Sequence, residues 1–211
     1  MKFSFLLKTE ENLQLDKRTL VFLRWIAIFG QLIAVNLVYH FLDLDFKVIE
    51  AHSVILIGIL TNLFLQFKVK SNQLKELNAA VFLLYDLIQL SLLLYLTGGI
   101  SNPFTILMII PSIVSSTFLS ARTTIVLGVI TLFFLFLLTI FHQPLPGIHE
   151  KNFLFPTYYL FGFFIAIIIG LVFLSYFGIR FSGELKKRSE AISKLEQIVA
   201  KEYELESLGG Q

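Results

Sequence analysis

Apolar residues fall along this chain in long blocks, not in the short alternating or 3.6-period patterns of a water-soluble domain. Six blocks run over Leu20–Leu42, Val48–Phe67, Leu77–Thr97, Phe104–Leu119, Thr123–His142 and Phe153–Gly178. A helix rises about 1.5 Å per residue, so about 20 residues cross the ~30 Å hydrocarbon core of a bilayer. All blocks but the fourth reach that length. The pattern predicts an all-α polytopic membrane helical bundle of six transmembrane helices over 20–178, between an N-terminal head (1–19) and a C-terminal tail (179–211). The fourth block spans only about 24 Å as α-helix. Pro111 inside it is expected to free the carbonyl of Leu107 and kink the helix.

Composition agrees and narrows the function. The chain is 56% hydrophobic and 15% charged, with a mean hydropathy of +0.79, against about 25% charged in soluble domains. Head, connections and tail are each far shorter than the roughly 100 residues of a typical independent domain, which excludes a soluble catalytic domain within the chain. The lack of cysteine removes disulfides and thiolate metal sites. A net charge of +2 gives no reason to expect a direct nucleic-acid partner.

Lys and Arg concentrate in loops that stay inside. With the N-terminus cytoplasmic, the inner segments hold Lys17, Arg18, Lys68, Lys70, Lys75 and Arg122 among others, and the outer loops only Lys47 and Lys151. Both termini are then expected in the cytoplasm. Arg24, just inside the first block, is expected to snorkel to the inner headgroups. After Gly178, the segment opened by Ser182-Gly183-Glu184 reads as a cytoplasmic helix projecting from the last span. Its apolar positions Leu185, Ile192, Leu195 and Val199 form an approximate heptad, open to either a parallel coiled coil or a solvated amphipathic helix.

The densest cluster of special residues is Thr97-Gly98-Gly99-Ile100-Ser101-Asn102-Pro103-Phe104. As a turn, Gly98 ends the third helix in the left-handed conformation, Asn102 caps the fourth, and Pro103 takes its first position. As a ligand site, the glycines admit a ligand, Asn102 offers amide donors, Thr97 and Ser101 offer hydroxyls, and Phe104 offers a stacking face. Those groups suit a flat dicarbonyl ring such as a membrane quinone. Both readings stand on the residues.

Asp86 is the only acidic residue deep in any block, and Gln89 shares its helix face. A packing or proton-linked role is expected for it, with Asn62 or Asn36 as partner. The four histidines, His40, His52, His142 and His149, lie at outer ends or loops without the close helical spacing of a zinc motif, so no metal site is expected.

Three stretches in order carry a family likeness: Leu20 with Arg24-Trp25-Ile26-Ala27 and Gly30-Gln31; Tyr85-Asp86-Leu87 with Gln89-Leu90, running on to Gly98-Gly99-Ile100-Ser101-Asn102-Pro103-Phe104; and Glu206-Ser207-Leu208-Gly209. Together they resemble the N-terminal half of RegB-type (PrrB, ActS) redox-sensing histidine kinases. The resemblance implies a six-span ubiquinone sensor in the bacterial inner membrane, a homodimer feeding a cytoplasmic kinase core and a response regulator, with oxidised quinone favouring the kinase-off state. It also implies a quinone site at Gly98, Gly99, Asn102, Pro103 and Phe104, to which Thr97 is adjacent. The phospho-acceptor His, the ATP-binding domain and the family's redox-active cysteine are absent from this sequence, so ATP is expected only in a missing kinase part. The chain is expected to be a fragment or a kinase-less sensor, inactive as a kinase alone. The alternative is a small six-span transporter or channel with Asp86 as proton or ion site. A purely structural subunit is a third reading.

Overall fold

The computed structural model describes residues 15–146 and 156–209. Most of the head, His149, Lys151, the first residues of the sixth block, Gly210 and Gln211 lie outside the described residues.

The described chain is helical. α1 (Lys17–Asn36) runs on into a π-helical turn, Leu37–Phe41. α2 (Val48–Lys68) and α3 (Glu76–Leu96) follow. Two 3-10 segments, Gly99–Ser101 and Pro103–Ile109, lead into α4 (Ile110–Phe118), then α5 (Ala121–Ile140) and α6 (Thr157–Gly209). Among the described residues, five helices are long and apolar enough to cross a membrane, and Pro103–Phe118 supplies a shorter apolar crossing.

The bundle has the inside-out character of a membrane protein. Phe22, Phe29 and Ile33 of α1 and Phe133 and Phe136 of α5 face outward. Thr105, Ser112, Ser115 and Thr131 are fully buried. In lipid an outward apolar surface costs nothing, while small hydroxyl residues let helices approach closely and bond to their own carbonyls. Thr131 does so to Leu127 at 2.9 Å. Polar contacts also fix the helix ends. Ser120 caps α5 by accepting from the Thr123 amide at 3.2 Å, and Glu76 of α3 accepts from the Ser120 amide at 3.1 Å. A carboxylate there meets the positive end of the helix. Lys17 donates to the carbonyl of Val69 at 2.8 Å, beyond the last turn of α2.

One expectation from sequence is corrected. Pro111 does not interrupt an α-helix, because the seven residues Pro103–Ile109 before α4 are 3-10 and Pro111 lies in the first turn of α4. The carbonyl of Leu107 accepts from the Ile110 amide. A 3-10 helix rises about 2.0 Å per residue, so the composite crossing reaches about 28 Å instead of about 24 Å. The tail is helical and continues the sixth block without a break. α6 runs unbroken through Gly178 and Gly183, because neither residue is followed by a proline or a capping reversal.

α6 packs most closely on α4. Gly178 makes that contact possible, since a Cβ there would overlap the Ser116 hydroxyl. One turn on, Ser182 donates to the carbonyl of Thr117 at 2.7 Å.

Candidate functional site

The turn after α3 is built as its residues predict. Gly98 ends the helix with φ +110° and Gly99 follows with φ +56°. Asn102 accepts from the Phe104 amide at 2.9 Å, and Pro103 opens the next segment. The glycines are required by close packing as well as by conformation. A Cβ on Gly98 would strike Leu145, and one on Gly99 would strike the carbonyl of Leu138 and the side chain of His142. No room for a ligand lies on that side.

The side chains of Thr97, Asn102 and Thr105 are committed to hydrogen bonds within the turn. Asn102 donates to the carbonyl and to the hydroxyl of Thr97, at 2.9 and 2.7 Å, and is itself buried. Thr97 in turn donates to the carbonyl of Leu93 at 2.8 Å. Thr105 closes the arrangement by donating to Gly99. Phe104 remains half-exposed and offers an apolar face.

Asp86 has a different partner from those expected. Arg24 of α1 is 3% exposed and its Nε donates to Asp86 Oδ1 at 2.8 Å. The snorkelling expectation is thereby corrected: Arg24 sits about 10 Å along α1, where an acidic group on α3 offers a better partner than the distant headgroups. Its Nη2 donates to the Thr61 hydroxyl on α2 at 2.9 Å, and its guanidinium lies over the rings of Phe82 and Tyr85. Asn62 donates instead to the carbonyl of Val21, and Asn36 to that of Leu32, with His52 also within reach. An ion site at Asp86, as a transporter would need, is met by a protein cation already in place.

Gln89, one turn above Asp86, donates to Gln31 of α1 at 3.0 Å. Gly58 of α2 makes room for it, since a Cβ there would overlap the Gln89 amide. α1 therefore packs chiefly on α2 and is tied to α3 by two polar bridges, Arg24–Asp86 and Gln31–Gln89.

Beside those bridges lies a mostly apolar cavity of about 560 Å³, bounded by α1, α3, the second 3-10 segment and α4. It joins the two candidate regions. Thr97, Asn102, Pro103 and Phe104 line one end, and Arg24, Gln31, Asp86 and Gln89 line the other. Gly98 and Gly99 are not among its walls. Its size and its few converging polar groups are those of a small-molecule site. The sequence reading missed Arg24, Gln31, Thr61 and Gly58. The one available signal was an Arg and an Asp inside two apolar blocks, which lipid drives to pair.

No group of three or more possible metal ligands occurs among the described residues. His149 lies outside them.

Residues 9–192 match the family model described as the PilS-like transmembrane domain. The sensor histidine kinase RegB of Cereibacter sphaeroides is 35% identical over 194 residues, 92% of this chain and 42% of that protein. RegB of C. sphaeroides strain ATCC 17023 gives the same identity and coverage. The chain thus spans less than half the length of these relatives. No solved structure matches it.

Proposed function

The chain belongs to the family of PilS-like transmembrane domains, and on that premise we propose that it is the membrane sensor region of a two-component histidine kinase that binds ubiquinone. The observation that carries the reading is the cavity between α1, α3 and α4, about 560 Å³, with apolar walls and polar groups at both ends. A quinone needs an apolar slot for its ring, hydrogen-bond partners for its carbonyls and a path to lipid for its tail. The likeness to RegB supports the sensor role.

In this reading the protein sits in the bacterial inner membrane with both termini cytoplasmic and forms a homodimer. α6 carries the state of the cavity to a kinase core that binds ATP and addresses a response regulator. The route is physical: the 3-10 segment and α4 wall the cavity, and α4 is locked to α6 at Ser116–Gly178 and Thr117–Ser182. A ligand moves such an equilibrium only through different affinity for its two arrangements.

The test is chemical. The chain is purified in mild detergent from membranes containing ubiquinone, extracted with organic solvent, and the extract quantified against an unrelated six-helix membrane protein. Stoichiometric ubiquinone is expected. Ubiquinone no higher than in the control overturns the reading.

A further inference from the structure

We propose that the oxygen-bearing ring of the ligand is held at the deep end of the cavity, by Gln31 of α1 and Asp86 of α3, with Asp86 engaged by the reduced form alone. The inference rests on the quinone reading above. It follows from which hydrogen-bonding groups are still available.

At the turn the donors that face the cavity are spent. The Asn102 amide nitrogen donates to the carbonyl and the hydroxyl of Thr97, whose own hydroxyl goes to Leu93. What that end offers the cavity is chiefly the Phe104 ring and Pro103, and Ser101 does not line it. Among the described residues of that wall, no free side-chain donor is left for a carbonyl oxygen.

The deep end is the opposite. Gln31 and Gln89 share one hydrogen bond, and the Gln31 amide nitrogen has no partner among the described residues. Exchanging O and N in both amides leaves donors over all the same. Asp86 uses Oδ1 for Arg24 and keeps Oδ2 open, with 26% of its side chain accessible. Arg24, almost wholly buried, carries a third nitrogen, Nη1, with no acceptor among the described residues. The deep end thus holds an unused amide donor and an unused carboxylate acceptor, both on residues that line the cavity. Unsatisfied groups away from water are costly.

This set distinguishes the two forms of a quinone ring by partner. The oxidised ring carries carbonyl oxygens, which only accept, so it takes the Gln31 amide. The reduced ring carries hydroxyls, which donate as well as accept, so it keeps the Gln31 amide and adds Asp86 Oδ2. The protein transfers no electrons in this scheme, because the ring arrives from the membrane already oxidised or reduced. Oxidised ligand is tied to α1 alone, and reduced ligand links α1 to α3. It does so beside the two polar bridges that already join those helices, Arg24–Asp86 and Gln31–Gln89.

The test uses the full chain in lipid nanodiscs, with decyl-ubiquinone as the oxidised probe and its dithionite-reduced quinol as the reduced one, by titration calorimetry. Gln31→Leu is expected to weaken both probes about ten-fold. Asp86→Asn is expected to weaken the reduced probe about ten-fold and the oxidised probe less than about two-fold. No loss in either variant, or equal loss of both forms in Asp86→Asn, overturns the proposal. Because Asp86→Asn removes the counter-charge of Arg24, the unmodified chain is also photolabelled with an azido group on the quinone ring. Label on the peptides containing Gln31 or Asp86 supports the deep site. Label confined to the Phe104 peptide overturns it. If the unmodified chain binds neither form, the quinone reading falls as well, a result distinct from binding that ignores Gln31 and Asp86.

Discussion

Arg24 on α1 donates to Asp86 on α3, 62 positions further along the sequence, across 2.8 Å. Each charge alone is expensive in a bilayer, and together they form one neutral unit shared with Thr61 and two aromatic rings. The pair also sits on the cavity wall, so the same contact that joins α1 to α3 borders the candidate ligand.

Removing one partner should therefore cost more than removing both. Asp86→Leu leaves the buried guanidinium without its counter-charge, a loss of about 3–5 kcal/mol by the precedent of broken buried pairs. Arg24→Leu combined with Asp86→Leu should recover most of that. Unfolding of each variant by SDS titration from mixed micelles checks the order. A double variant no more stable than Asp86→Leu alone would show that the pair does not act as a unit.

Asn102 and Phe104 separate structure from binding. Asn102→Ala removes the cap of the 3-10 segment and two bonds to Thr97, and is expected to cost about 1–2 kcal/mol. Phe104 is half-exposed, so Phe104→Ala should leave thermal stability nearly unchanged while weakening quinone affinity. Melting curves in detergent beside quinone titrations read the two effects. Full quinone affinity in Phe104→Ala would remove Phe104 from the site.

How much of this was legible in the sequence depends on range. The turn was readable because Gly98, Asn102 and Pro103 act on their immediate neighbours, and the chemistry of helix ends is local. The partner of Asp86 was not, because Arg24 near a helix start reads equally as a residue reaching for headgroups. The same holds for Gly58 and Gly178. Each is small because of one side chain on another helix, Gln89 and Ser116, and no local pattern names that side chain. Pro111 reads as a kink only if the residues before it are α-helical, and they are 3-10. The long apolar blocks and their approximate ends were plain, since lipid allows few alternatives to a helix.

The two glycines of the turn should differ in tolerance. Gly98→Ala forces a side chain to φ +110° and presses it on Leu145, whose own side chain has some freedom to move. Gly99→Ala meets the backbone carbonyl of Leu138, which can move only with α5. Both are expected to lower the melting temperature, Gly99→Ala by the larger amount. Equal melting of Gly99→Ala and the unmodified chain would mean that the turn does not pack on α5 as described.

In the proposed route the contact between α4 and α6 is the mechanical step from cavity to last helix, and the absence of cysteine from the sequence makes it easy to probe. A Cβ at position 178 would lie 2.8 Å from that of Ser116. Disulfide-bonded cysteines keep their Cβ atoms about 3.5–4.5 Å apart, so a small separation of the helices accommodates the bond. The chain carrying Ser116→Cys and Gly178→Cys should oxidise readily to a species of altered gel mobility. Placing the second cysteine at Gly170, where no atom approaches within 4 Å of a Cβ, should give little or none. If quinone occupancy works through α4, saturating the cavity should change the rate of bond formation by several-fold. A rate identical with and without quinone would exclude this contact as the route from cavity to α6.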